Sequence, residues 1–389
     1  MRLLIVTGTL AESIVRNVIS RISKKYGDEV HIEVLVLDVP VAALITTQKL
    51  LAELKSKKDY IKNFDIVIVP GLMRGDLAHV AKYLDKPIYK GTKYVGDLEL
   101  VIEALLKGEK LSTQIPADEL LNIKSSINIK KVNEIIETGV KEAFKVGSLS
   151  IPIRGPPIRI FAEISLGSIG DVQEFLKYAK KLSDQGADLI VIGTEVNSLD
   201  INRLHSLIKE LRRNIPKPLG IDSINIDEIK VAIDEGIDLV MNLSRESLNT
   251  FKDYASDVAF VLTPEVSRDH KAEDKLREIT KMLNEAIDLG YRKLMIDPII
   301  PPPLFGLVEG LLALRYVSTS IKNYPFLLSI ANVVELIDAD SHGVNALLTS
   351  IAMEVGASAI LVTESSWKTR GSVYEVRKSL YMNYLAKLR

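Results

Sequence analysis

The chain contains no cysteine. Disulfides, thiolate catalysis, Cys-ligated zinc and iron–sulfur clusters are therefore excluded. Histidine is scarce too. The five present, His31, His79, His205, His270 and His342, are scattered, with no pair at the spacing that sets two ligands on one helical face. No built-in metal site is expected. Neither sign of charge is in excess: fifty basic side chains meet fifty-one acidic ones, which leaves no net field to hold a phosphate backbone, so nucleic acid is not an expected partner. No apolar run approaches the ~18 residues of a membrane span. The opening MRLLIVTGTLAESIV is interrupted by Gly8 and Glu12 before a signal-peptide core forms. Residues 3–7 read as a first buried strand, and the expected location is the cytoplasm, away from membranes.

What is present is globular in composition, with 47% hydrophobic and 26% charged residues in a chain of 389. A barrel of about 230–250 residues with a companion of about 150 would account for that length. The segment SIPIRGPPIRI, residues 150–160, combines prolines and a glycine with no helical period and reads as a linker. Before it, RLLIVTG, VHIEVLVLD and FDIVIVPG read as strands that alternate with helices LAESIVRNVISRIS, TTQKLLAELKS and DLAHVAKYL. This predicts a small Rossmann-like α/β domain over 1–110. The turn TGTLAES after the first strand lacks both G-x-G-x-x-G and a P-loop lysine, which favours a structural or partner-binding role over a nucleotide site. A helical connector and linker are expected over 111–157, with helix running from Ala117 to about Phe144.

From 158 to 389 the alternation becomes regular. Candidate strands are IRIFAEI (158–164), DLIVIGT (188–194), PLGID (218–222), LVMNL (239–243), DVAFVL (257–262), KLMID (293–297), FLLSI (326–330) and SAILVT (358–363), each followed by helical character. Eight such pairs predict a (β/α)8 TIM barrel. The strands are apolar without alternation, as when both faces are covered. Gly186, Gly236, Gly290 and Gly356 stand where the helices before the next strands must stop. The chemistry of such a barrel lies at the carboxyl ends of its strands. The polar residues there are Glu163, Glu195, Asp222, Asn242, Asp297, Asn332 and Glu364, with Lys368 and Arg370 beyond the last strand. Any one of them is as often a helix cap as a functional group. Asp222, Asn242 and Asp297 taken together favour function, because two carboxylates and an amide read the donor and acceptor edge of a heterocycle.

The tripeptides IDS (221–223) and IDP (296–298), with MNLS (241–244) and GADLIVIGTE (186–195), resemble the strand ends of pterin-binding barrels. That group includes the dihydropteroate synthases and the corrinoid-dependent methyltetrahydrofolate methyltransferases. The layout of the whole chain, with IPIRGPP, LIDADSHGVNALL (336–348) and TRGSV (369–373), is similar to the archaeal dihydropteroate synthase-related proteins. The resemblance implies that Asp222, Asn242, Asp297 and Glu195 contact a reduced pterin. It also implies a homodimer formed through barrel helices and a transferase that joins a pterin methylene diphosphate to an arylamine in folate or tetrahydromethanopterin metabolism, with Mg2+ beside the diphosphate.

Three places depart from the synthase pattern. DPIIPPPLFG replaces a glycine-rich, lysine-bearing loop, SIANVVE (329–335) replaces a Ser-Arg-Lys, and VTESSWK (362–368) replaces an Arg-x-His. The loop TESSWKTRGSV offers a substitute, with Lys368 and Arg370 as catalytic cations and Ser365, Ser366, Gly371 and Ser372 as anion-binding groups. An ordinary capped, solvated loop is the competing reading. SLGSIGD (165–171) is a weaker anion nest. The methyltransferase branch fits DPIIPP and places Asn332 near the pterin's methylated nitrogen, at the cost of needing a corrinoid partner protein. A pterin-binding protein without catalysis is the third reading. His270 is a candidate proton carrier, though a lone loop histidine is more often a surface residue. Trp367 either stacks on a ligand or covers the barrel end.

Overall fold

The computed structural model describes residues 1–121, 129–194, 201–265 and 271–388. The chain divides into two compact units, Met1–Ile127 and Asn128–Leu388.

In the first unit, strands β1 (Arg2–Gly8), β2 (His31–Leu37), β3 (Ile66–Val69) and β4 (Ile88–Lys90) form a parallel sheet in the order β2-β1-β3-β4. Successive side chains of a strand point to opposite faces. Leu4 and Val6 accordingly join a core with Leu50, Leu54, Val80 and Leu84, while Leu3 and Ile5 join another with Val15, Ile19, Ile22 and Val101. Both faces are covered by helices, which is the Rossmann-like winding expected. The turn after β1 is closed from within, since Thr9 N–H donates to Val39 O (3.0 Å) and Leu10 N–H to Pro40 O (3.1 Å). Those amides are the ones a dinucleotide-binding turn would aim at phosphate.

The second unit opens with the helix Ile129–Glu137 and an antiparallel hairpin of β5 (Glu142–Val146) and β6 (Leu149–Pro152). The helix expected to reach Phe144 therefore ends early: Gly139, at φ 76°, follows it, and Phe144 lies in a strand. The proline-rich stretch 150–160 falls inside this unit, where it joins the hairpin to the first barrel strand.

Eight parallel strands follow: β7 (Arg159–Ser165), β8 (Leu189–Gly193), β9 (Leu219–Asp222), β10 (Leu239–Leu243), β11 (Ala259–Leu262), β12 (Leu294–Ile296), β13 (Leu327–Ser329) and β14 (Ala359–Thr363). The sheet runs from β12 back to β7 and on through β14 to β13, and a parallel bridge between Ile296 and Phe326 closes the ring. Phe161, Leu189, Val191, Leu239, Met241, Val261, Met295, Leu327 and Leu361 fill its interior, and Val146 and Ile151 of the hairpin belong to the same core. The hairpin thus plugs one end with apolar side chains. Between β10 and β11 the expected helix is replaced by turns and one short 3-10 turn, Lys252–Tyr254. The segment SRESLNTFKDYASD is rich in side chains that compete with helix for backbone bonds.

The last helix, Ser372–Leu388, is tied to the strands by Arg377. Its guanidinium donates to Asp188 Oδ2 (2.7 Å) and to Gly186 O (3.1 Å from Nε), and Asp188 Oδ2 also accepts Ile160 N–H (2.8 Å). Both side chains of this pair are less than a fifth exposed. Arg377→Met leaves Asp188 without its counter-charge and should cost about 3 kcal/mol in urea unfolding, the low end for breaking a largely buried pair. Arg277→Met, which breaks only the exposed pair with Asp274, should change the midpoint immeasurably. Equal effects from the two would show that Arg377 does not anchor the helix.

Candidate functional site

Alternation along the barrel strands decides which side chains reach the mouth. Phe161, Val191 and Met295 point into the core. Two residues further on, Glu163, Gly193 and Asp297 share their orientation at the carboxyl ends. Asp222 pairs in register with Gly193 and so joins them. Asn242 follows the inward-pointing Met241 and would face outward, but the register between β10 and β11 shifts between Val240 and Leu243. Such irregularities re-aim side chains. Asn242 Nδ2 donates a short hydrogen bond to Asp222 Oδ1, so these two residues from adjacent strands act as one unit.

Asp222, Asp297 and Glu163 are carboxyls with little water around them. Burial pushes Asp222 up to about 6, against the opposing hydrogen bond from Asn242. Burial also pushes Asp297 to about 7; the Ile299 N–H and Lys275 pull it down, and the Asp222 charge pushes it further up. Asp297 is only 8% exposed, and its Oδ1 accepts Ile299 N–H at 2.8 Å. Ile299 sits at φ 53°, a left-handed backbone that a β-branched residue rarely adopts. Asp222 does not cap the following helix. Asn225 does, accepting Asp227 N–H (2.9 Å) and Glu228 N–H (3.3 Å).

The residues expected to bind an anion are engaged inside the protein. Ser365 N–H and Ser366 N–H donate to Glu335 Oε1 (2.9 and 3.4 Å), and Lys368 Nζ donates to Ile337 O. Ser372 is fully buried, with its hydroxyl accepting from Asn345 Nδ2 (3.0 Å). Gly371 takes φ 106°, which only glycine adopts easily, and starts the last helix rather than presenting an open nest. Arg370 is exposed, with no ion pair among the described residues. Asn332 is exposed at the start of the helix Ala331–Leu336, just past β13. Glu364 is not in the mouth as a ligand: its buried carboxylate accepts Tyr178 O–H (2.9 Å) and Val373 N–H (3.2 Å), capping the last helix. In the 165–171 turn, Gly170 N–H already donates to Glu174 Oε2 (3.2 Å). Trp367, 83% exposed, covers nothing. Glu195 and His270 lie outside the described residues. Among the described residues no three acidic or histidine side chains are grouped to hold a metal ion.

Three further groups have a part at the mouth that the sequence does not disclose. Glu163 reads from sequence as a strand end without a motif; its carboxylate lies over Gly193, where any Cβ would collide with it, and burial together with Asp222 and Glu335 pushes it to about 7. Glu335 carries no motif. Lys275, 3% exposed on the helix Ala272–Asp288, donates to Ile299 O (3.3 Å) and lies in the field of Asp297 and Glu309, with burial lowering its proton affinity.

A carboxyl raised from 4.5 to about 7 by burial binds its proton more tightly in the folded than in the unfolded chain, so the stability it contributes falls as pH rises across that interval. Glu163→Gln should therefore melt a few degrees above wild type near pH 8, with the gap closing near pH 4. A variant that melts lower at pH 8 would mean Glu163 makes a stabilising contact when ionised.

Comparison with known proteins agrees with the barrel. Dihydropteroate synthase of Yersinia pestis, solved with a sulfonamide drug complex, superposes with a TM-score of 0.52 at 16% identity, covering 63% of this chain and 98% of that one. The enzyme of Xanthomonas albilineans, in complex with 7,8-dihydropteroate, gives 0.51 at 17% identity over 63% of this chain and 98% of its own. At this identity the likeness concerns the fold. Residues 1–93 match a family of unknown function, DUF6513. The Methanocaldococcus jannaschii protein named uncharacterized protein MJ0107 is 30% identical over 407 aligned positions, which take in all of this chain and 75% of that protein. The chain belongs to the same family as MJ0107 of Methanocaldococcus jannaschii.

Proposed function

We propose that the second unit binds a reduced pterin in the carboxyl-terminal mouth of its barrel and transfers a group to or from it. The observation that carries this reading is the convergence of Asp222, Asn242 and Asp297 from three strands, with Asn242 already bonded to Asp222. A pterin edge presents an amino group and ring N–H groups beside acceptor atoms. A carboxylate accepts the N–H groups, and Asn242 keeps its carbonyl oxygen and one N–H for the ring. Asp297, poised near 7, accepts a hydrogen bond when ionised and donates one when protonated. Ile224, Leu304 and Trp367, exposed on loops after β9, β12 and β14, offer apolar surface beside the mouth.

Two transfers fit a pterin held in this way. Condensation of a pterin methylene diphosphate with an arylamine is the reaction of the dihydropteroate synthases whose fold the barrel shares, and it asks for a cation to meet the leaving diphosphate. Lys368 already gives one N–H to Ile337 O, which leaves Arg370 the freer of the two loop cations for that role. Methyl transfer from an N-methylated tetrahydropterin to a corrinoid partner needs no anion site. It is favoured by the exposed amide of Asn332 past β13 and by Glu163, which holds its proton near neutral pH. A protonated ring nitrogen leaves far more readily than a neutral one, and a carboxyl of this affinity is suited to supply the proton.

Calorimetric titration with reduced 6-hydroxymethylpterin tests the binding. Asp222→Ala and Asp297→Ala should each weaken it roughly ten- to hundredfold, the effect of about 1–3 kcal/mol per unpaired polar group. Wild type that binds neither this pterin nor an N-methylated tetrahydropterin would end the reading. For the reaction, Arg370→Ala should abolish any diphosphate release, and Asn332→Ala should slow methyl transfer in the presence of a corrinoid protein. Whichever variant leaves its reaction unchanged removes the role given to that residue.

A further inference from the structure

The loop after β14 has the donor set of an anion site, and its anion is part of the chain. Ser365 N–H (2.9 Å), Ser366 N–H (3.4 Å) and the Thr369 hydroxyl (2.6 Å) all donate to one oxygen, Glu335 Oε1. The donors belong to the turn between β14 and the last helix. The acceptor belongs to the helix Ala331–Leu336, which follows β13. Two backbone amides and a hydroxyl around a single charged oxygen are how loops hold a phosphate oxygen. A carboxylate in that position satisfies the donors and adds its own negative charge.

The neighbouring donors are closed in the same way. Val373 N–H, in the first turn of the last helix, donates to the buried carboxylate of Glu364 (3.2 Å). Lys368 donates to Ile337 O, and Lys181 pairs with Glu364 (3.5 Å). Towards the axis, Glu163 feels the charge of both Asp222 and Glu335, and it has no ion pair among the described residues. A diphosphate entering here would have to displace one carboxylate and lie among several others, with Arg370 as the one cation of the loop that has no partner among the described residues. Like charges brought together at a binding site cost several kcal/mol.

We propose that Glu335 is a specificity-determining residue: it occupies the anion nest of the loop after β14 and restricts the mouth to ligands that carry no phosphate or diphosphate at that end. This deepens the pterin reading. Where both hold, the substrate is a pterin with an uncharged or cationic substituent, and the group transferred leaves without a diphosphate.

The test uses inorganic pyrophosphate as the probe, so that a barrel that binds no pterin still reports on Glu335. Calorimetric titration is run on the full chain as wild type, Glu335→Ala and Glu335→Gln. Wild type should bind pyrophosphate weakly. Glu335→Ala, with three donors released and one negative charge removed, should bind pyrophosphate at least about tenfold more tightly. Glu335→Gln keeps an acceptor oxygen for the loop while losing the charge; it should fold as wild type does and fall between the two. If Glu335→Ala fails to fold, the Gln variant decides alone. Binding by wild type as tight as by the variants, or folded variants that gain nothing, would overturn the proposal. In a second arm, wild type should prefer reduced 6-hydroxymethylpterin over its diphosphate by at least about tenfold, and Glu335→Ala should narrow that preference. A wild-type preference for the diphosphate would equally overturn it.

Discussion

Closure of the parallel sheet is the constraint on which the site depends. Once the bridge between Ile296 and Phe326 joins the two ends of the sheet, every second side chain must point at a common axis. Below, those positions carry Phe, Leu, Val and Met, and the hairpin's Val146 and Ile151 exclude water from that end. Above, the same alternation brings Glu163, Asp222 and Asp297 together. Had the sheet remained open, these carboxyls would stand in a row along its edge, each hydrated by itself.

Their electrostatics follow from that convergence. A carboxyl withdrawn from water and facing others holds its proton more tightly, and the three are raised into the range from about 6 to about 7. Near neutral pH each can be either acceptor or donor, which suits a heterocycle that offers both kinds of atom along one edge. Lys275 restrains this tendency at Asp297. It reaches the carbonyl of Ile299, the residue whose N–H Asp297 accepts, so the loop's unusual backbone and the charge of the carboxyl are held by the same side chain.

A second set of carboxylates, Glu335 and Glu364, faces the protein rather than the ligand and consumes the donors around the last strand. The outcome is a mouth with a polar reading edge on the side of β9, β10 and β12 and internally neutralised amides on the side of β13 and β14. The reading edge is the part of the mouth on which the pterin proposal rests. The neutralised side is where this chain goes its own way, at the same places where SIANVVE and VTESSWK depart from the synthase pattern.

The eight barrel strands were legible to within about two residues of their ends, because strands covered on both faces must be short apolar runs between helices of regular spacing. Asp222 and Asp297 were legible for the same reason, since a strand's carboxyl end in a barrel faces the mouth. The hairpin was missed because the start of β5 also suits a helix and β6 runs into a proline-rich stretch that reads as a linker, and nothing local reveals the open barrel end it has to fill. Asn242 was legible only as the end of a strand, for its parity points outward and the shifted register of β10 is what turns it. What tertiary structure alone decided is which polar groups are already satisfied: Ser365, Ser366 and Lys368 read as an anion site in isolation, and their partners Glu335 and Ile337 stand about thirty residues away. Sequence fixes which donors and acceptors a chain owns through local periodicity. Who satisfies whom is settled by long-range packing, and in this protein that decides whether the amides after β14 stand open or are already bonded within the chain.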